Sequence, residues 1–208
     1  MFTKKFIITN LIILCTHRIS SSDVYFAMFF LDNSLYGSSS LGNQVGIVNQ
    51  FVLNKPNDND VMSLTILSQG KTSFNTSFHP MLINDYGNFY NNLATIMSQE
   101  HAIGNISYFQ LTSDVAAKSS FYNTKIYTQK PIIVYFIDSY LNRIEDTRKI
   151  LNMINKFYGT EIKVLSIIFD ETKTSAATFL TKNKDFVNIN VDSKETVKWL
   201  YKQYQNSQ

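Results

Sequence analysis

Cysteine is nearly missing from this chain: its one residue, Cys15, lies in an amino-terminal stretch that reads as a removable leader. Without that leader there is no disulfide, no thiolate nucleophile and no thiolate metal ligand. Small secreted domains lean on disulfides because their cores are thin, but a chain of this length buries enough apolar surface to do without them. Glycine and proline are scarce, at 7 and 3 residues, and no long low-complexity tract interrupts the sequence. Neither the Gly-x-Gly-x-x-Gly loop nor the Walker-type loop that cradles phosphates occurs, and the Gly-x-Ser-x-Gly turn that presents a hydrolase serine is absent. Histidine is equally sparse. Beyond the leader only His79, before Pro80, and His101, after a predicted helix, remain, and both positions suit a surface better than a catalytic base.

An excess of charge is lacking too. Lys4, Lys5 and Arg18 belong to the leader, so the rest of the chain sets 16 basic residues against 16 acidic ones. That balance argues against nucleic acid or an anionic membrane surface as a partner.

The leader has a recognisable layout. Met1 to Lys5 is a short positive head, Phe6 to Cys15 is apolar except for Thr9 and Asn10, and Thr16 to Ser22 is small and polar. This is the pattern of a secretory signal over residues 1–22, cleaved near Ser20 to Ser22, and its apolar part is too short to span a bilayer. An uncleaved anchor is the alternative. Residues 23–208 then form a single extracellular domain. The sequons at Asn75 and Asn105 would be glycosylated in such a protein.

Val24 to Leu31 is a continuous apolar run, the habit of a strand buried on both faces of a parallel sheet. It ends in Asp32-Asn33-Ser34 and leads into a helix over 38–55, with Leu41, Val45, Val48, Phe51 and Val52 facing inward and Ser38 to Ser40 offering caps. Val61 to Leu67 reads as a strand, with 72–78 returning as an antiparallel partner. Helices follow over 85–99 (Phe89, Leu93, Ile96 and Met97 inward) and 108–121. Pro131 to Asp138 is a second buried strand ending in aspartate. A helix over 142–158, a third buried strand over 161–169 ending at Asp170, a helix over 172–183, a strand over 185–191 and a helix over 193–204 complete the chain. In the last helix Trp199, Tyr201 and Tyr204 suit packing better than an aromatic contact patch. The alternation predicts an α/β fold: a doubly wound, mostly parallel sheet with one antiparallel edge strand and helices on both faces.

Such sheets hold ligands at the carboxyl ends of their strands, where Asp32, Ser34 and Asp138 stand. The strand-Asp-x-Ser-helix opening, the early hairpin, the strand ending at Asp138 and the order of the closing elements resemble a von Willebrand factor type A domain over residues 24–204. The degenerate copies found in nematode secreted proteins, often beside C-type lectin domains, are similar. The resemblance implies a non-enzymatic adhesion module that recognises a protein or glycan through its strand-end loops. It also implies a Mg²⁺ site with Asp32, Ser34 and Asp138 as ligands, since this ion takes hard oxygen donors. Two positions depart from the pattern: Tyr36 stands where a second serine belongs, and Asn105 or Ser107 stands in place of a threonine. A glycan on Asn105 would cover the face on which a partner docks. The other reading of Asp32 and Asp138 is that they are strand-end carboxylates, solvated or paired with backbone N–H groups of the loops. Two further readings remain open: a secreted metal-assisted hydrolase using Asp32 and Asp138, and a structural domain that binds through its edge strand.

Overall fold

The computed structural model describes residues 24–35, 37, 39–55, 61–67, 81–82, 86–98, 101, 108–113, 132–139, 141, 143–158 and 161–206. The predicted leader, the segment 72–78, Tyr36, and the Asn75, Asn105 and Ser107 positions lie outside them.

Six strands form one sheet: β1 (Val24–Phe30), β2 (Val61–Leu67), β3 (Met81–Leu82), β4 (Ile132–Ile137), β5 (Val164–Ile168) and β6 (Val187–Ile189). Their order is β3-β2-β1-β4-β5-β6. β2, β1, β4, β5 and β6 run parallel, and the two-residue β3 pairs antiparallel with β2. β1 and β4 are neighbours, paired from Ala27↔Ile132 to Phe30↔Tyr135, so the segments leaving them emerge side by side at one end of the sheet.

The apolar runs behave as two-faced strands. Ala27, Phe29, Val134, Phe136, Leu165 and Ile167 point to one core, while Met28, Phe30, Ile133, Tyr135, Val164 and Ile168 point to the other. The first core is covered by α1 (Leu41–Leu53), α2 (Tyr86–Ser98) and α5 (Ser193–Gln205). The second is covered by α3 (Ile144–Tyr158), α4 (Thr174–Thr181) and the helical stretch 108–113. Trp199 packs against the first core, and Tyr201 and Tyr204 are buried in it. Phe51 and Tyr201 stack with centroids 4.7 Å apart, and the Tyr201 hydroxyl donates to the Phe51 carbonyl, which clamps α5 onto α1. No helix among the described residues is long and apolar enough to cross a membrane.

Several boundaries move from their predicted places. The helix expected over 172–183 is a 3₁₀ turn at Glu171–Lys173 followed by α4. The strand expected over 185–191 is only Val187–Ile189, because the Asn183 side chain accepts from the Asp185 N–H and holds a 3₁₀ turn at Lys184–Phe186. Met97, predicted inward, is 48% exposed: Phe89, Leu93 and Ile96 form the buried stripe, and Met97 lies one step beyond its edge. The Ser40 side chain caps no N–H of α1 and instead donates to the Gly37 carbonyl at 3.1 Å.

Candidate functional site at the carboxyl end of the sheet

The backbone leaving β1 is held by a residue that the apolar pattern passes over. Gln44 occupies the inward face of α1 with Leu41, Ile47, Val48, Phe51 and Val52, while the predicted Val45 is only partly buried. Its Oε1 accepts from the Asp32 N–H at 2.8 Å and its Nε2 donates to the Asp32 carbonyl at 3.2 Å. The side-chain amide thus pairs with the Asp32 main chain as a neighbouring strand would. Nε2 also donates to Ser40 Oγ at 2.8 Å.

With its main chain fixed, Asp32 turns its carboxylate inward. The residue has no exposed surface. Oδ1 accepts from the Ser34 N–H at 3.2 Å and the Ser34 hydroxyl at 2.7 Å. Oδ2 accepts from the N–H groups of Asp138 at 3.1 Å and Ser139 at 2.6 Å, and from the Tyr108 hydroxyl at 3.2 Å. The four donors from Ser34, Asp138 and Ser139 already match the roughly four lone-pair positions of a carboxylate, and the one Tyr108 proton is shared with the Phe136 carbonyl. Tyr108, wholly buried, also reaches the Phe136 carbonyl, and burial with the nearby Asp32 charge pushes its phenol well up, so it stays a neutral donor. Of the two readings of this aspartate, the geometry is the one with loop N–H groups as partners.

The loop after Asp32 closes over it. Ser34 Oγ accepts from the Gly37 N–H at 2.9 Å. A Cβ on Gly37 would sit 2.7 Å from both the carbonyl oxygen and Oδ1 of Asp32, inside any real contact, so only glycine lets the chain pass there. Asn33 is tied to a separate segment through its Oδ1, 2.7 Å from His101 Nδ1. Beside this knot the buried Asn33 Nδ2 and Ser139 Oγ have no hydrogen-bond partner among the described residues.

Asp138 differs. It is half-buried, and burial pushes its carboxyl up; the Ser40 hydroxyl pulls it back, the charges of Asp32 and Asp170 raise it, and Lys173 lowers it. The single Ser40 proton is contested, since the Gly37 carbonyl is also within reach. An acid raised in the folded state stabilises fully below its ordinary value of 3.8 and loses that contribution as pH rises through the raised value. Asp138→Asn is therefore expected to melt at or above the wild type at pH 7, with the gap closing as pH falls toward 3.8. Melting curves across that range check it, and a lower melting temperature at pH 7 would refute it. Asp170, at the end of β5, is occupied as a cap: Oδ1 accepts from the Thr172 N–H at 2.9 Å and Oδ2 from its hydroxyl at 2.6 Å, which lowers its carboxyl.

The sheet thus brings Asp32, Ser34 and Asp138 to one end, but not as an open set of ligands. Asp32 and Ser34 are fully buried and committed to internal hydrogen bonds. No group of three or more His, Cys, Asp or Glu side chains suited to a metal occurs among the described residues. A hard divalent cation keeps several waters in an octahedral shell, and the residues present do not fit one at Asp32. Gln44 and Tyr108 were not legible as site residues. The only signal for Gln44 was a polar residue recurring at an apolar helical position.

No protein-family model matches the chain, and no curated protein matches it. The likeness is structural. The chain is similar to the pilus adhesin SpaC of Lactobacillus rhamnosus GG in its open conformation, with a TM-score of 0.61 and 10% identity, covering 89% of this chain and 30% of that one. It therefore spans about a third of the adhesin's length. It is also similar to the manganese-loaded TRAP protein of Plasmodium vivax, with a TM-score of 0.61 and 11% identity, covering 86% of this chain and 71% of that one. The VWA domain of SpRpn10 gives a TM-score of 0.52 and 16% identity, over 80% of this chain and 86% of that one. The fold is that of a von Willebrand factor A-like α/β domain.

Proposed function

We propose that this chain is a secreted, non-enzymatic binding module that recognises a protein or glycan through the loops at the carboxyl end of its sheet. One observation carries the reading. Two strand-end segments and the helical stretch 108–113 are laced together through Asp32, and apolar side chains stand exposed at the same end of the sheet: Leu35 after β1, 56% exposed, and Val191 after β6, 91% exposed. A rigid platform with exposed apolar tips suits recognition. The adhesins among the similar folds and the leader-like residues 1–22 support an extracellular setting, and the degenerate nematode copies beside C-type lectin domains belong to the same proposal. A metal-assisted hydrolase is disfavoured because the Asp32 carboxylate is buried and already committed to hydrogen bonds from Ser34, Asp138 and Ser139.

The test starts with the chain expressed in a secretory host and recovered from the medium. Purified domain is then assayed for adhesion to glycan arrays and immobilised extracellular-matrix proteins. Leu35→Ser with Val191→Ser should weaken binding about tenfold or more, the effect of withdrawing one to two apolar side chains from a contact. Met153→Ser, on the outer side of α3 and 61% exposed, should leave it unchanged. Binding that ignores the double variant would place recognition elsewhere.

A further inference from the structure

We infer that the Asp32 carboxylate takes the place of a metal centre with a purely protein-made knot, so that this end of the domain is assembled and works without a divalent cation. The resemblance to metal-bearing domains predicts Mg²⁺ on Asp32, Ser34 and Asp138; the donor set says otherwise. Each part of the knot joins a different piece of chain. Ser34 N–H and hydroxyl bring in the loop after β1, the Asp138 and Ser139 N–H groups bring in the segment after β4, and the Tyr108 hydroxyl brings in the helical stretch 108–113. Joining those pieces is the work a bridging cation would do, and here N–H and O–H groups of the protein do it. A cation seated on either carboxylate oxygen would have to evict the Ser34, Asp138 or Ser139 donors that hold it.

Space agrees with chemistry. The backbone at Gly37 lies close on one side of the carboxylate, where even a methyl group would stand 2.7 Å from Oδ1. Ser34 Oγ has its proton on Asp32 and a lone pair on the Gly37 N–H, and the residue has no exposed surface. Asp138, unlike Asp32 and Ser34, is only partly buried, and the groups that offset its charge are the Ser40 hydroxyl and Lys173. Combined with the proposed recognition, on which this last step rests, the partner's docking group is neutral or cationic, because no ion is present to bridge a partner carboxylate to the domain.

The test uses the whole secreted domain with MnCl₂ and MgCl₂ as probes, so its result does not depend on finding a partner. The electron paramagnetic resonance signal of free Mn²⁺ is followed as domain is added, and melting is compared in chelator and in millimolar Mg²⁺ or Mn²⁺. The expected result is an undiminished free-ion signal and a melting temperature that moves by less than about 1 °C, since an ion that does not bind the native state cannot stabilise it. Uptake of one equivalent of Mn²⁺ that Ser34→Ala abolishes, or a metal-dependent rise of about 5 °C or more, would overturn the inference. Uptake that Asp138→Asn abolishes overturns it as well, and only uptake indifferent to both variants upholds it, because that ion sits elsewhere. Adhesion that fails while metal indifference holds would count against the recognition proposal alone.

Discussion

Asp32→Asn is expected to lose about 3–5 kcal/mol of stability, the range for breaking one side of a buried charged network. The substitution preserves shape and changes only polarity, which isolates the hydrogen-bonding role. An amide replaces one acceptor oxygen by a donor nitrogen, and neither orientation suits this pocket. At the Oδ2 position the NH₂ group would face the Asp138 and Ser139 N–H groups; at the Oδ1 position it would face the Ser34 N–H and hydroxyl. The loop has little room to relax on the Gly37 side, where an added Cβ would already stand 2.7 Å from Oδ1. For a domain of this size the loss corresponds to a melting temperature lower by roughly 6–20 °C. Thermal unfolding followed by circular dichroism measures it. A variant melting within about 2 °C of the wild type would show that these donors contribute little net stability.

Gln44→Leu is the second large effect, about 2–5 kcal/mol, although leucine is the more apolar residue and an equally good helix former. The loss arises on β1. With the amide gone, the buried N–H and carbonyl of Asp32 lose the partner they have among the described residues and Ser40 Oγ loses a donor. Gln44→Glu gives a sharper signature. It keeps an acceptor for the Asp32 N–H but sets a carboxylate against the Asp32 carbonyl in a site without solvent, so its folded pKa rises above the ordinary glutamate value of about 4.3. Stability from such a group is present below that value and is lost as pH rises through the raised one. The Glu variant should therefore be weak at pH 7 and recover on acidification, whereas the Leu variant should show no such recovery relative to wild type. Equal deficits at all pH values would mean that Gln44 acts through shape alone.

These two residues also mark where reading the chain in one dimension stopped succeeding. β1, β4 and β5 were legible because a strand covered on both faces is apolar at nearly every position, and Ala27–Leu31, Ile132–Ile137 and Val164–Ile168 are buried throughout, with Ser166 a polar exception. Asp32, Ser34 and Asp138 were legible as a strand-end group because parallel strands end on the same side. Gln44 was not: in a helical pattern a polar residue at an inward position looks like noise until the strand end it pairs with is known. Tyr108 was hidden for the same reason, since its acceptors lie 76 and 28 residues away in sequence. The shortened β6 was missed because a local competitor, the Asn183 side chain bonded to the Asp185 N–H, draws the backbone into a turn where residue type alone favoured a strand.

By its periodicity alone, the sequence determined the layered α/β architecture, its alternation of strand and helix, and the sheet end where its carboxylates gather. Apolar spacing governs which surfaces must leave water, and that requirement is local and repeated. Only the tertiary structure decided what the gathered carboxylates do. Hydrogen-bond saturation depends on which N–H and O–H groups arrive from distant segments, and those arrivals turned Asp32 into an internal knot, left Asp138 facing outward and set Asp170 to capping its own turn.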